Sequence, residues 1–443
     1  MITILLVTIF LFGYCAIVFE HQLKIDKLVP SLAMMSISWM VLSLGLSDLN
    51  SWFDPHLGKL IDISLLTNEE KKSLLDSTLL HHFGKTTEIL VFLMGAMVIV
   101  EMIDSFNGFK TIQNIILTRK KRTLLWIISF LAFFLSAVID NLTATIVLIT
   151  LLRKLISDKE LRFWYSGIIV IAANAGGAWT PIGDVTTTML WMANRVTTVK
   201  LATLLFIPSV IAMIIPVFIA SFYKIFNGDF EIQNNEKEKN SSGSLMLSIG
   251  LILILSVPIF KTVTHLPPYL GMLLALGIFA VIAEIKSNRN FTITSIESSV
   301  ESPTLNALGK IEMPSILFFL GILMTIASME SMGIIFKFGD LIRNQIPLEV
   351  FAGGLGVISS IIDNVPLVAA SIGMFSEVEM DETIWHLIAY SAGTGGSLLI
   401  IGSAAGVVAM GMENISFGWY LKNISLLAAI GYFSGYIFLV LTT

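Results

Sequence analysis

Charge is scarce in this chain. Lysine, arginine, aspartate and glutamate make up 13% of its 443 residues while 55% are hydrophobic, against roughly 25% charged in an ordinary soluble domain. That balance excludes a soluble globular fold, and it leaves no basic face for a nucleic-acid partner. Cysteine is scarcer still: Cys15 is the only one, so neither an intrachain disulfide nor a cysteine zinc site can form. HExxH, GxSxG and paired-cysteine patterns are missing, which removes the usual signs of a membrane-embedded enzyme. The formal charge of −5 says little, because in a membrane protein the placement of charge matters more than its sum. The first residues lack a positive n-region and a small-residue cleavage site, so 2–20 is expected to be a retained helix rather than a signal peptide.

Apolar sequence is what the chain has in abundance. Stretches able to cross a ~30 Å hydrocarbon layer lie near 2–20, 28–46, 88–104, 163–194, 201–223, 245–264, 267–285, 314–332, 384–412 and 421–441, ten crossings in all. The lipid bilayer is therefore the first partner. The polar stretches 228–243 and 286–311 read as cytoplasmic linkers, and 47–87 as an external insertion with an amphipathic helix in its Leu-rich middle.

Two apolar regions, 123–155 and 347–376, do not fit as simple spans. The first would supply only ~50 Å of helix, short of two ~30 Å crossings. Lys120, Lys121 and Arg122 precede it and Arg153 and Lys154 follow it, so the positive-inside tendency puts both ends in the cytoplasm. A re-entrant hairpin with its tip at Ser136 to Thr145 is expected. The second is framed by Glu349 before it and Glu377, Glu379, Asp381 and Glu382 after it, with no Lys or Arg between Arg343 and Lys422, and should enter from outside. Counting crossings from these anchors places both termini outside.

The two halves can be laid over one another. ILVFLMGAMVIV before Glu101 resembles ILFFLGILMTIA before Glu330, SAVIDNLTAT matches SSIIDNVPLV, and NAGGAWTPIGD matches GTGGSLLIIGS, at offsets of 227, 223 and 219. Five crossings per half make the second copy inverted. The expected fold is an all-α polytopic membrane protein with an inverted-topology repeat, two re-entrant hairpins and two broken helices. A first repeat covers 1–227, a cytoplasmic linker 228–243 and the second repeat 244–443, with broken helices at 163–194 and 384–412.

At the first tip Asp140, Asn141, Thr143 and Thr145 supply carboxylate, amide and hydroxyl oxygens within six residues, hard ligands suited to an alkali cation. A charge near the bilayer centre costs roughly 2.5 to 3.5 kcal/mol on insertion scales, so such an acid needs a water-filled cavity, a proton or a cation. Asp363 and Asn364, with Ser359 and Ser360, repeat the pattern at the second tip. Gly176, Gly177, Pro181 and Gly183 interrupt the first broken span, among Asn174, Thr180, Asp184, Thr186 and Thr187. Gly393, Gly395, Gly396 and Gly402 interrupt the second, with Thr394, Ser397 and Ser403; the backbone groups freed at both breaks need a cavity. His81, Glu88, Glu101 and Glu312 are candidates for a response to pH, although Glu88 and Glu312, each opening a helix, also read as interfacial anchors.

The stretches SAVIDNLTATIVL, NAGGAWTPIGDVTTT, SSIIDNVPLVAAS and TGGSLLIIGSAAG together resemble the NhaD-type sodium/proton antiporters, a branch of the ion transporter superfamily. The resemblance implies an elevator-like transporter, usually a homodimer, in which two hairpins and two broken helices move against a scaffold. By matching positions, Asp140, Asn141, Asn174, Asp184, Thr186, Thr187, Ser359, Asp363 and Asn364 would form the cation and proton site, and His81 with Glu88 a pH-responsive pair. Dicarboxylate carriers of the wider superfamily have Ser-Asn-Thr at the tips, where this chain has Ile-Asp-Asn.

Exchange of Na⁺, and of Li⁺, for H⁺ follows from a carboxylate that a proton and a cation cannot occupy together. No cofactor is expected, only the transported ions, and a bacterial plasma membrane is the expected location. An arsenite or dicarboxylate carrier on the same fold is the nearest alternative, and a passive cation channel a further one.

Overall fold

With no water in a bilayer core, backbone N–H and C=O groups must pair within the chain, and an apolar sequence of this length does so as helices. The computed structural model describes residues 2–18, 20–54, 59–113, 118–230, 241–289 and 302–443. These are helical apart from one β-hairpin, Ser51–Asp54 with Lys59–Asp62, paired antiparallel with Trp52 opposite Ile61. Among the described residues seven helices are long and apolar enough to cross a membrane, and Ile2–Val18 and Leu28–Leu44 are apolar helices of 17 residues each.

Three expectations need correction. While the β-hairpin occupies the earlier part of the insertion, the insertion from Asn68 onward and the third span are one helix of 38 residues, Asn68–Ser105. Its start is set by a capping box in which the Thr67 hydroxyl accepts from the Glu70 backbone and the Glu70 carboxylate accepts from Thr67 N at 2.8 Å. Nothing later in it breaks the helix, so Glu88 lies mid-helix rather than opening one. Trp52 packs under it, donating to Thr78 Oγ1 at 3.1 Å. The stretch 286–311 is not all linker: Ser302 caps a short helix, Pro303–Lys310. Finally, the first hairpin has one full-length arm, Lys121–Ile139, of 19 residues. Residues 231–240 of the expected 228–243 linker lie outside the described residues.

The hairpins and breaks fall where the glycines and acids put them. The first hairpin pairs Lys121–Ile139 with Asn141–Leu155, leaving Asp140 as the tip; the second pairs Leu348–Ser359 with Asn364–Met374 around 360–363. The first broken helix runs Lys159–Gly177 and Val185–Met192, the second Thr383–Gly395 and Ala404–Glu413.

Matched contacts join each hairpin to its broken helix. Ser136 Oγ donates to the Ala173 carbonyl at 2.6 Å, and Ser359 Oγ to the Ala392 carbonyl at 3.0 Å. A Cβ on Gly176 would fall 2.1 Å from the Phe133 carbonyl oxygen, and one on Gly395 2.2 Å from that of Gly356.

The bases of the two hairpins lie at opposite ends of the first broken helix. Arg162, at its beginning, donates to the Ile156 and Ser157 carbonyls after the first hairpin. At its far end Thr197 donates through its amide and hydroxyl to Asp381, which follows the second hairpin, at 2.7 and 2.8 Å.

Helices Thr198–Ala220 and Ser425–Thr442 pack against the hairpins and breaks. A second group, Ile2–Val18, Leu28–Leu44, Asn68–Ser105, Ser241–Thr264, Pro268–Arg289 and Met313–Ser331, packs mainly within itself.

These backbone approaches make a sharp expectation. Gly176→Ala and Gly395→Ala should each lower thermal stability in detergent by about 1–3 kcal/mol or more through overpacking against backbone. Gly277→Ala, where nothing lies within 4 Å of the added carbon, should be neutral or stabilising. Unfolding midpoints of the three purified variants check this.

Candidate functional site

The broken helix Lys159–Gly177/Val185–Met192 places Asp184 at the N-terminus of its second segment, where the carboxylate does what a helix start asks of it. Oδ1 accepts from the Thr186 amide and hydroxyl, both at 2.9 Å. The side chain is 2% exposed, and a carboxylate so placed is tolerated only if its remaining lone pairs are met. Asn141 Nδ2, from the first tip, donates to Oδ2 at 2.8 Å, and Asn364 Nδ2, from the second tip, lies 3.4 Å from both oxygens.

Asn174 extends the network. Its Oδ1 accepts from Asn141 Nδ2 at 3.1 Å, and its Nδ2 donates to Ser403 Oγ at 2.9 Å. Both hairpin tips thus converge on one buried carboxylate of the first break, and the second break joins the network through Ser403 and Asn174.

A cavity of about 80 Å³ adjoins this network, lined by Asp140, Asn141, Thr143, Asp184, Asp363 and Asn364 among apolar side chains from the second helix group. It has room for about two or three waters at ~30 Å³ each. Three carboxylates and two amides around so small a space are chemistry for one small cation or a proton.

The tips are not equivalent. Asp140 has φ 83° and ψ 159°, a region essentially reserved for glycine and costing a non-glycine residue about 1–3 kcal/mol. It is held there by two hydrogen bonds, Thr143 N to Oδ1 at 2.8 Å and Thr143 Oγ1 to Oδ2 at 2.9 Å. Asp363 has an ordinary φ of −48° and accepts from Val365 N at 3.2 Å.

Other expected residues serve the frame instead. Thr180 Oγ1 donates to the Ala137 carbonyl at 2.6 Å and ties the break to the first tip. Thr187 Oγ1 donates to the Asp184 carbonyl at 3.0 Å. Ser360, Thr394 and Ser397 bond to carbonyls three or four residues back, of Val357, Tyr390 and Thr394. Thr145 Oγ1 is buried without a hydrogen-bond partner, and neither it nor these three lines the cavity.

Nor do the pH candidates meet the ions' cavity. His81 and Glu88 share a separate recess of about 510 Å³ with His82, Arg195 and Glu330. Glu101 and Glu312 share another of about 450 Å³ with Asp104, Lys110, Lys154 and Lys310. The second recess abuts the ion cavity, both being lined by Met97, Leu142 and Thr143.

Ser403, named at the second break, stands opposite Asp184 in the alignment of the halves and accepts from Asn174. Two residues were missed. Glu413, 1% exposed, accepts from Arg153 Nε at 2.7 Å and Arg162 Nε at 3.0 Å; nothing in its neighbourhood in the sequence marks it. Lys27 lines the ion cavity from a helix start far away in sequence.

Paired hairpins and broken helices around a buried polar site define an integral, multi-pass membrane transporter. The chain belongs to the citrate transporter family, CitMHS, whose profile matches residues 14–388, and to its NhaD-type sodium/proton antiporter members. It is 41% identical to sodium/proton antiporter 1 of Arabidopsis thaliana, over 96% of this chain and 69% of that one. Sodium/proton antiporter 2 of the same plant is 38% identical over 96% of both chains. The Na⁺/H⁺ antiporter NhaD of Alkalimonas amylolytica is 27% identical, over 94% of this chain and 84% of its own. Among solved structures the YdaH transporter of Alcanivorax borkumensis shares the fold, with a TM-score of 0.59 at 12% identity over 93% of this chain and 98% of that one.

The backbone of Asp140 gives a prediction that separates strain from function. Asp140→Gly should match or exceed the unmodified protein in thermal stability, since glycine relieves the strain and forfeits only a few tenths of a kcal/mol as a cap. Asp140→Ala keeps the strain, loses the cap and should be less stable by about 1 kcal/mol. Both should lose ion exchange. Melting curves beside a transport assay decide.

Proposed function

We propose that this protein exchanges Na⁺, and Li⁺ with it, for H⁺ across a membrane. The observation that carries the reading is the convergence of Asp140, Asn141, Asp184, Asp363 and Asn364, from three separate elements, on one cavity of about 80 Å³. A cation held by those carboxylates is released when they take up protons, and the reverse exchange reloads them. Asn141, Asn364 and Thr143 act as neutral ligands, and no resident cofactor takes part.

The division of helices into two packed groups supports alternating access by an elevator-like movement. In this reading the hairpins, the breaks and the two helices packed on them carry the ion against the second group, and the halves 1–227 and 244–443 are inverted repeats. Entry of the hairpins from opposite ends of the bundle supports that inversion. The Lys and Arg residues framing the first hairpin support a cytoplasmic position for its base and for the recess holding Glu101 and Glu312, with both termini outside. The state described here then opens inward. His81 and Glu88, in the recess on the other side, are assigned to the response to external pH. A bacterial plasma membrane is proposed from the relatives named NhaD, although the relatives of higher identity are plant proteins, and the family resemblance supports a homodimer.

The family's description as citrate transporters raises the anion reading. A citrate-like anion would have to enter beside three aspartates in a space of about 80 Å³, which repulsion and size both oppose.

In proteoliposomes with a pH-reporting dye inside, addition of Na⁺ or Li⁺ should move protons, while K⁺ and citrate should not. Asp184→Asn and the Asp140→Asn, Asp363→Asn double variant should abolish the signal while still inserting, because neutralising a membrane acid relieves desolvation. Normal exchange in the double variant would sink the mechanism. With Cys15 replaced, Ser157→Cys should label from the cytoplasm and Glu379→Cys from outside; labelling of both from one face would remove the inverted topology.

A further inference from the structure

The ion cavity has one basic side chain in its wall, Lys27, and neither hairpin supplies it. Lys27 precedes the helix Leu28–Leu44, and its ammonium lies 4.7 Å from the centre of the Phe318 ring, a cation–π contact. Phe318, 1% exposed, belongs to the helix Met313–Ser331. Those two helices are locked together. A Cβ on Gly321 would fall 2.6 Å from the Ser31 carbonyl carbon, and Trp39 Nε1 donates to the Met324 carbonyl at 2.9 Å. The ammonium is therefore fixed to the helix group that the exchange reading keeps still.

A second cavity, of about 70 Å³, lies on the other side of the second tip and is lined by Tyr14, Glu20, Lys27 and Asp363. Lys27 and Asp363 line both spaces. The charged and titratable groups facing Lys27 are thus Asp140, Asp184 and Asp363 in the ion cavity and Tyr14, Glu20 and Asp363 in the other.

We propose that Lys27 is a tethered cation that competes with Na⁺ for the carboxylates of the site, and so sets the ion affinity of the state described here. The proposal rests on the exchange reading. Two positive charges in one small cavity within a low-dielectric bundle repel with little screening, since salt cannot enter between them. With the three aspartates ionised, the ammonium cuts the negative charge available to an entering ion, weakening its hold without removing a ligand. Because the lysine sits on one helix group and Asp363 on the other, relative movement of the two changes this competition, and an ion bound tightly on one side can be released on the other.

The test compares Lys27→Gln, Lys27→Met and Lys27→Arg in the proteoliposome assay, with Na⁺ varied at fixed pH and equal protein inserted. Removal of the charge should lower the apparent KM for Na⁺ about tenfold, and Lys27→Arg should keep the original KM. A lysine that only supports the fold would instead reduce the maximal rate in the Gln and Met variants and leave KM in place, which overturns the proposal. So does a raised KM. Lys27→Met retains the length and apolar packing of the stem, so it carries the same two outcomes if Lys27→Gln fails to fold. Absence of Na⁺-driven proton movement in the unmodified protein would overturn the exchange reading and this proposal together, whereas an unchanged KM in an active Lys27→Gln variant overturns this one alone.

Discussion

Breaking two helices in the middle of an apolar bundle frees backbone amides and carbonyls where no solvent can meet them, and the site is organised around how they are satisfied. Each break is closed by a residue at the start of its second segment: Asp184 accepts from Thr186, and Ser403 accepts from the Gly406 amide at 3.2 Å. Each is buttressed by a serine on the adjoining hairpin arm, Ser136 or Ser359, donating to a carbonyl of the first segment. Glycines at 176 and 395 let hairpin and break approach until backbone touches backbone. The tips have no other place to lie than against the breaks.

On this matched frame the chemistry is unequal. The first break carries a carboxylate and the second a hydroxyl, so both tip asparagines turn to Asp184. Only the first tip holds its aspartate in a glycine-like backbone conformation, secured by Thr143. A charge shared between two repeats would be duplicated at roughly twice the desolvation cost. At the breaks the carboxylate is confined to the first and the second keeps a neutral hydroxyl, while each tip adds its own aspartate to the one cavity they share.

Polar clamps at either end tie the hairpins and breaks into one body. Glu413, at the end of the second break, is held between Arg153 and Arg162, from the first hairpin and the start of the first broken helix. At the opposite end Asp381 caps the approach of Thr197. Glu413 is buried, so parting it from both arginines would strand its charge without a partner, and the hairpins and breaks resist separating from each other. They meet the second helix group through apolar surface, the cavity and Lys261, whose ammonium donates to the Trp191 carbonyl at 2.7 Å and to Asn194 Oδ1 at 3.1 Å.

Local chemistry determined much of this in the sequence itself. Hydropathy marked the spans, glycines and prolines the breaks, and the recurrence of Asp-Asn at a spacing of 223 both tips, because each depends on a few consecutive residues. Asp184, Asn141 and Asn364 could be named for the same reason. The long helix Asn68–Ser105 was misjudged, since charged turns lowered its hydropathy without breaking its hydrogen bonds. Thr145, Thr394 and Ser397 looked like ligands by composition, yet none lines the cavity: the last two bond to carbonyls three or four residues back and Thr145 is buried without a partner; which way a side chain faces is set by packing across elements. Only the tertiary structure brought Lys27 and Asp363 to the wall of one cavity and Glu413 to two arginines, because those arrangements join segments hundreds of residues apart. Attraction between distant charges leaves no local pattern to read.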